Sequence, residues 1–308
     1  MKRQIATVAL DVGGTVVKGA IRDSTGEVTA LRRWSTPRED GPDAVVASVL
    51  DALRELLREA PSSQAIGLVV PGTVDEAGGV ALYSENIEWR DVRFRELAEQ
   101  ASGLPVGFGH DVRAGGLAER TFGASRGSSD VLFMPIGTGI SGAMFVEGRS
   151  IDSMLGGEIG HLDVGSGLTC ACGLTGCLET VATGPSIARA YAKLSGIDVS
   201  GAKTVVERML AGDDIAKSVW LDAVNGIAGA LASYISLLAP ELIVIGGGLS
   251  GAGEVLLEPL RAALRARLVW QREPRLLVAE LGDQAGNVGA HLLARQAFEN
   301  AHKEEEPL

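Results

Sequence analysis

Four short apolar runs each end on a glycine turn, and this recurrence constrains the fold more than any other feature of the chain. They are IATVAL before Asp11, AIGLVV before Pro71-Gly72, VLFMPI before Gly137 and ELIVIG before Gly247-Gly248. Each has the length and composition of a strand buried on both faces that delivers a glycine-rich turn at its C-terminal end. Amphipathic segments at 42–60, 178–195, 203–211, 213–239, 253–268 and 286–299 read as helices. Strands alternating with helices predict an α/β architecture with open sheets. The opening is not a βαβ unit, because LDVGGT leads through VVKGAIRD and TGEVTALRRW before any helix, which reads strand, turn, strand, turn, strand. The segment from 131 repeats that plan with VLFMPI, GTG and ISGAMFVEGR.

A chain of 308 residues with 46% hydrophobic content can bury two lobes of about 150 residues each. We expect an N-terminal lobe over 1–120 and a C-terminal lobe over 121–308, with the helix at 286–299 able to pack back on the first lobe and a cleft between the two. The tail HKEEEPL reads as disordered. With 28 Lys+Arg against 39 Asp+Glu, the net charge of −11 opposes general binding to nucleic acid or to anionic membranes. No run approaches the roughly 18 consecutive apolar residues of a spanning helix, and the N-terminus lacks a cleavage-site pattern. Three cysteines, all between 170 and 177, do not make a secreted disulfide framework. A cytoplasmic location is expected.

Asp11-Val12-Gly13-Gly14-Thr15 joins an acid to glycines whose N–H groups can approach a phosphate, with Thr15 offering a hydroxyl and Asp11 a place for Mg²⁺. A tight hairpin with a capping Asp is the plainer use of the same residues. Gly137-Thr138-Gly139-Ile140-Ser141-Gly142 matches GxGxxG, yet AMFVEGR follows where a dinucleotide site needs a helix, so a Rossmann reading fails. No GxxxxGK[ST] motif occurs either. Two such turns, one per lobe, suit the phosphates of a nucleoside triphosphate. Gly246-Gly247-Gly248 would let a flat adenine or ribose lie on backbone, or serve simply as a strand-to-helix turn.

His161, Cys170, Cys172 and Cys177 offer one imidazole and three thiolates within seventeen residues, a donor set for tetrahedral zinc with no open position and hence a structural role. Gly173 and Gly176 permit the sharp turns required. Free thiols, or a Cys172–Cys177 disulfide, are the other readings, because CxC is less diagnostic than paired CxxC.

Together these pieces resemble the ROK group of repressors, open reading frames and sugar kinases, in particular its bacterial glucokinase-like members, over nearly the whole chain. Asp11–Thr15 with Lys18 is similar to the group's first phosphate motif and Gly137-Thr138-Gly139 to its second. Gly157-Glu158-Ile159-Gly160-His161 followed by CACGLTGCLE (170–179) is similar to its zinc segment, here 161–177. Asn86-Ile87-Glu88-Trp89 is similar to a sugar-pocket element, while GGGLSGAG (246–253) and LGDQAGNVGAHLLA (281–294) are similar to nucleotide-side elements. The resemblance implies the actin-like ATPase fold, a duplication of RNase H-like lobes, ATP with Mg²⁺, a structural zinc, and a dimer or tetramer.

It also implies transfer of the γ-phosphoryl group to a primary hydroxyl of a hexose, glucose first. Asp111 falls on the position of the catalytic base, although it would equally serve as an N-cap for the helix after it. Asn86, His110, Glu158, His161 and Glu179 would contact the sugar, and a solvated turn carboxylate is the plainer reading of Glu158. Two departures bear on the acceptor: His110 and Arg113 stand where the group usually has asparagines, and imidazole cannot offer an amide's paired donor and acceptor. A kinase for an amino sugar, a mannose-type hexose or a cyclitol is therefore the rival, with a non-catalytic sugar sensor further behind. No helix-turn-helix precedes residue 5, which disfavours the repressor branch.

Overall fold

The structure, a computed structural model, describes residues 4–303. The chain divides into two compact units, one running to Ala118 and resuming at Asp283, the other covering Glu119–Gly282. In the first unit β1 (Thr7–Val12), β2 (Val16–Arg22) and β3 (Val28–Ser35) precede α1 (Pro42–Glu59), and β4 (Ala65–Val70) follows. A small sheet of β5 (Thr73–Asp75), β6 (Val80–Tyr83) and β7 (Arg90–Val92) comes next, then α2 (Phe94–Ser102), β8 (Val106–His110) and α3 (Asp111–Phe122). The main sheet has the order β3-β2-β1-β4-β8. β1 pairs antiparallel with β2 and parallel with β4, and β4 pairs parallel with β8.

β1 and β4 are buried along their whole length, as strands covered on both faces must be. Val8, Leu10 and Val12 join Ile66, Leu68 and Val70 in one core with Leu53 and Leu56 of α1. The alternate residues Ala9 and Val69 turn to the opposite face, and the period of two carries Asp11 there as well.

The second unit repeats the plan. β9 (Val131–Pro135), β10 (Ala143–Val146) and β11 (Arg149–Ser150) open it, and α4 (Glu179–Ala182), α5 (Gly184–Ser195), α6 (Ala202–Leu210) and α7 (Asp214–Leu238) follow. β12 (Leu242–Gly246), α8 (Glu254–Arg265) and β13 (Arg275–Val278) complete a sheet of order β11-β10-β9-β12-β13. Position for position this is the order and sense of the first sheet, the duplication expected of an actin-like ATPase fold. α7 is apolar and long enough to cross a membrane by length and composition. Val219, Trp220, Ile227 and Leu231 of that helix lie buried in the core of the second unit.

The helix expected over 178–195 is two helices. Thr183 is extended, and its hydroxyl accepts the Ser186 N–H as the cap of α5. α9 (Ala285–Lys303) belongs to the first unit, which resumes at Asp283, and it is the helix expected at 286–299 as able to pack back on that lobe. Glycines in the sheet let α9 lie directly on it: a Cβ at Gly67 would stand 1.8 Å from the Ala290 carbonyl oxygen, and one at Gly107 2.1 Å from that of Leu293. Thr7 Oγ1 and His291 Nδ1, 2.7 Å apart, add a buried hydrogen bond across the same face. Of the tail HKEEEPL, His302 and Lys303 continue α9, with His302 stacked on Phe298, and 304–308 lie outside the described residues.

Candidate active site

In the first unit the turn after β1 is closed by the Gly13 N–H donating to the Val16 carbonyl, while the buried Thr36 hydroxyl donates to the Gly13 carbonyl at 2.7 Å. Thr15 is exposed. Asn86 comes up against this turn, its Cβ 3.7 Å from where a Cβ of Gly14 would sit. The neighbours of Asn86 explain its placement. Ile87 and Trp89 are sunk in the core, Trp89 edge-on to Phe94, which leaves Asn86 at the surface.

Asp11 is buried, and burial pushes its pKa up against the opposing charge of Lys18, whose Nζ lies 3.7 Å from Oδ2. Lys18 also donates to the Asp283 carbonyl at 2.8 Å, and Arg33 pairs with the Asp283 carboxylate. The segment 281–294, expected on the nucleotide side, thus brings Asp283 to Lys18 and Gly286 to the Asp11 carboxylate, where a Cβ would stand 2.7 Å from Oδ2.

Asp111 is the first residue of α3, directly after β8, and its Oδ1 accepts the Val112 N–H at 2.7 Å. Its side chain keeps 28% exposure, enough for a hydroxyl to reach it. Burial, and then the charge of Asp11, raise its pKa to about 7, which places its titration close to neutrality. The charge of Asp11 thus acts on Asp111, while Asp11 itself is raised by burial and by Asp283 and offset in part by Lys18; carboxylate oxygens are the donors a divalent cation takes.

His110, the last residue of β8, is buried with its pKa pushed down to about 3, by burial first and the charge of Arg113 second, so its ring is neutral. Its Nε2 lies 3.5 Å from Asp111 Oδ1, and its Nδ1 is buried without a hydrogen-bond partner. Arg113 pairs with Glu76, Nε to Oε1 at 2.6 Å, and is only 10% exposed.

In the second unit the turn 137–139 sits at the end of β9, with Thr138 exposed. Its backbone is tied on three sides. Gly137 N–H donates to Gly139, Gly184 N–H donates to the Gly137 carbonyl, and Ile136 N–H donates to the Gly246 carbonyl at the end of the adjacent parallel strand β12. Strand β10 follows the turn where a dinucleotide fold would have a helix. Gly247 has φ of +71° and passes so near Ile136 that a Cβ would fall 2.5 Å from its carbonyl oxygen, and Gly248 begins a short 3-10 turn. The turns at 137–139 and 246–248 are therefore neighbours.

Glu179 accepts the Ile140 N–H on Oε1 at 2.6 Å, and the Gly160 N–H donates to the Ile140 carbonyl. Glu158 is exposed at the start of the 3-10 turn that carries His161. Expected to contact a sugar, Glu179 also braces the end of the 137–139 turn.

The His161, Cys170, Cys172 and Cys177 ligand atoms lie within 4.8 Å of one another. Cys172 and Cys177 sulfurs are 3.7 Å apart, and Cys170 Sγ is 3.8 Å from His161 Nδ1. A tetrahedron with zinc–sulfur bonds of about 2.3 Å has edges of about 3.8 Å, so the set fits zinc. All three cysteines are free, and 3.7 Å is far beyond the roughly 2.05 Å of a disulfide. Gly173 and Gly176 have φ of +89° and +95°, the left-handed turns the spacing calls for. Burial pushes the Cys177 thiol up to about 12, so a thiolate there needs a cation beside it.

Glu76, Thr36 and Asp283 were not singled out as site residues by sequence. Each meets a partner 23 or more positions away, and an acid in the turn VDEAGG or a threonine before a proline carries no local signal of that.

A chain with a glycine turn at the first strand of each of two like-ordered sheets, an acid pair in one unit and a His/Cys₃ cluster in the other belongs to a defined class. The sequence matches the ROK family over residues 7–297, and the chain belongs to that family. It is 33% identical to a glucokinase of Halalkalibacterium halodurans, covering 96% of this chain and 97% of the relative. Among solved structures it is similar to a ROK family glucokinase from Streptomyces griseus in complex with glucose and AMPPNP, with a TM-score of 0.80, 30% identity and 94% and 99% of the two chains covered. It is likewise similar to a ROK hexokinase from Thermus thermophilus, with a TM-score of 0.82, 33% identity and 96% and 100% coverage.

Proposed function

We propose that this chain is an ATP-dependent sugar kinase with glucose as its first acceptor. The observation that carries the reading is the pair of carboxylates in the first unit, buried Asp11 beside Lys18 and Asp111 at the start of α3 with its pKa near 7. Its setting is a ROK chain similar along almost its full length to glucokinases. Asp111 takes the proton of the attacking primary hydroxyl, O6 of a hexose, as the oxygen–phosphorus bond forms. The bond from the γ-phosphorus to the β–γ bridging oxygen breaks, and ADP leaves. Most of the rate in such transfers comes from positioning and from stabilising charge.

Asp11 would hold Mg²⁺, which neutralises charge on the phosphate oxygens when bound. The turns at 13–15 and 137–139, through backbone N–H groups other than those of Gly13 and Gly137, which close their own turns, with Lys18 and the hydroxyls of Thr15 and Thr138, orient the phosphates, and the backbone at 246–248 takes the base or ribose. Asn86, His110, Glu158, Glu179 and the second ring nitrogen of His161 bind acceptor hydroxyls. His161, Cys170, Cys172 and Cys177 hold a structural zinc that fixes the His161 ring. We place the enzyme in the cytoplasm as a dimer or tetramer.

The test is ADP release with Mg-ATP across glucose, mannose, N-acetylglucosamine, N-acetylmannosamine, fructose and cyclitols. Glucose at the top supports the glucokinase reading. Turnover only of another acceptor replaces it with the second reading, which His110 in the asparagine position favours. No turnover of any acceptor by folded protein refutes the kinase.

A further inference from the structure

The proposed base stands at a strand-to-helix junction, and the side chain that fixes that junction comes from a turn with no part in the proposed chemistry. Glu76 lies between β5 and β6. Its Oε1 accepts the backbone N–H of His110 at 3.0 Å and Nε–H of Arg113 at 2.6 Å. Those two residues flank Asp111, one ending β8 and the other in the first turn of α3.

The turn is itself held. Asp75 Oδ1 accepts the Gly78 N–H at 2.8 Å, and Arg95 of α2 donates to the carbonyls of Glu76 and Ala77. Arg113, 10% exposed, also reaches the Val74 carbonyl at 3.4 Å. Glu76 Oε1 thus holds the Arg113 guanidinium, whose charge is also felt by Asp111.

We propose that Glu76 is a positioning residue for Asp111, one carboxylate oxygen bracketing the base by holding residues 110 and 113 on either side of it. The proposal rests on the kinase reading of Asp111. It also gives Arg113 a role other than acceptor recognition: the departure at 113 is matched by an acid 37 positions earlier, and the two form one brace. His110, the other departure, keeps a buried Nδ1 without a hydrogen-bond partner.

Because such a brace aims the base without touching either substrate, its loss reads out in kcat and leaves KM in place. Glu76→Ala is expected to lower kcat at least tenfold with KM for sugar and for Mg-ATP within twofold of wild type. Glu76→Gln keeps an oxygen that accepts both bonds, and its kcat is expected within about threefold of wild type. Amide exchange over 106–115, which contains the His110 N–H, is expected to accelerate in Glu76→Ala and not in Glu76→Gln.

A Glu76→Ala enzyme with wild-type kcat, a loss confined to KM, or equal losses in both variants would overturn the proposal. If Glu76→Ala does not fold, Arg113→Ala removes one of the two donors and takes its place: a fivefold or larger fall in kcat at constant KM supports the brace, and wild-type kcat overturns it. Should the wild-type protein phosphorylate no acceptor, the kinase reading fails by itself. The brace is then judged by exchange alone, and unchanged exchange of the His110 amide in Glu76→Ala overturns it.

Discussion

The two units share one strand order and one opening device, a glycine turn after the first strand, but they equip it differently. In the first, β1 and β2 carry Asp11 and Lys18 on either side of the turn, 3.7 Å apart. In the second, no charged residue occurs between Val131 and Val146, and a carboxylate reaches the turn from a later helix, Glu179, accepting the Ile140 N–H. The first unit therefore concentrates ionisable groups at its strand ends, while the second offers backbone donors braced by a compact His/Cys₃ segment. A duplicated fold does not imply duplicated chemistry. The shared topology supplies two turns at corresponding strand ends, and the side chains around them differ.

The comparison breaks first, and hardest, at Asp111. Asp111→Asn keeps the shape and removes the base, so kcat is expected to fall by about 10²–10⁴. The same change is expected to stabilise the protein near and above pH 7. A carboxyl whose folded pKa, about 7, exceeds its unfolded value, 3.8, binds more protons folded than unfolded between those values, so stability falls as pH rises through that window. Removing the ionisation removes that penalty, a gain on the order of 1–2 kcal/mol and a few degrees in Tm once solvent screening is allowed for. In the same direction, kcat/KM of the free enzyme should decline as pH drops below about 7, because the protonated acid cannot accept the hydroxyl proton. Near-native turnover in Asp111→Asn would end the assignment of chemistry to the first unit.

The second unit is tested through its metal. Cys177 is buried, and Cys177→Ala deletes one of four donors. Metal analysis is expected to find about one zinc per wild-type chain and almost none in the variant, with a stability loss of more than about 3 kcal/mol and proteolysis beginning within 161–177. If the variant keeps zinc and its melting temperature, the cluster is not a structural site.

Much of this division is legible in the sequence, and the failures have a common cause. Strand ends such as Asp11, Gly137 and Gly247 stand out because a buried strand is a short apolar run and its turn needs glycine. The cysteines stand out because metal ligands cluster within a few residues. α2, with FRELAEQAS, is not among the expected helices, because the apolar face it buries comes down to Phe94 and Ala98 among charged and polar neighbours. The break at Thr183 was hidden because a threonine cap inside an amphipathic stretch resembles a helical residue until its backbone is seen. Arg113 read as an altered sugar contact, whereas its guanidinium is bound to Glu76, 37 residues away. Periodicity and spacing report neighbours along the chain, and a long-range ion pair leaves no trace in either.

The finest test of the contrast sets one glycine against another. At Gly13 an added Cβ would stand 2.9 Å from the Val16 carbonyl oxygen, the acceptor that closes the turn, so Gly13→Ala must move backbone. A cost of about 1–2 kcal/mol is expected, together with lost activity. At Gly137 nothing lies within 4 Å of the same atom, and φ is not left-handed. Gly137→Ala therefore fits the free protein, and its melting temperature should stay within about 1 °C of wild type. A methyl group on a turn that cradles phosphate instead meets the ligand, so KM for Mg-ATP is expected to rise severalfold with KM for the sugar unchanged. Thermal melts and steady-state kinetics on the two variants separate the outcomes. If Gly137→Ala leaves KM for Mg-ATP untouched, the phosphates do not lie on the turn of the second unit, and that turn would be a strand connection with no ligand to hold.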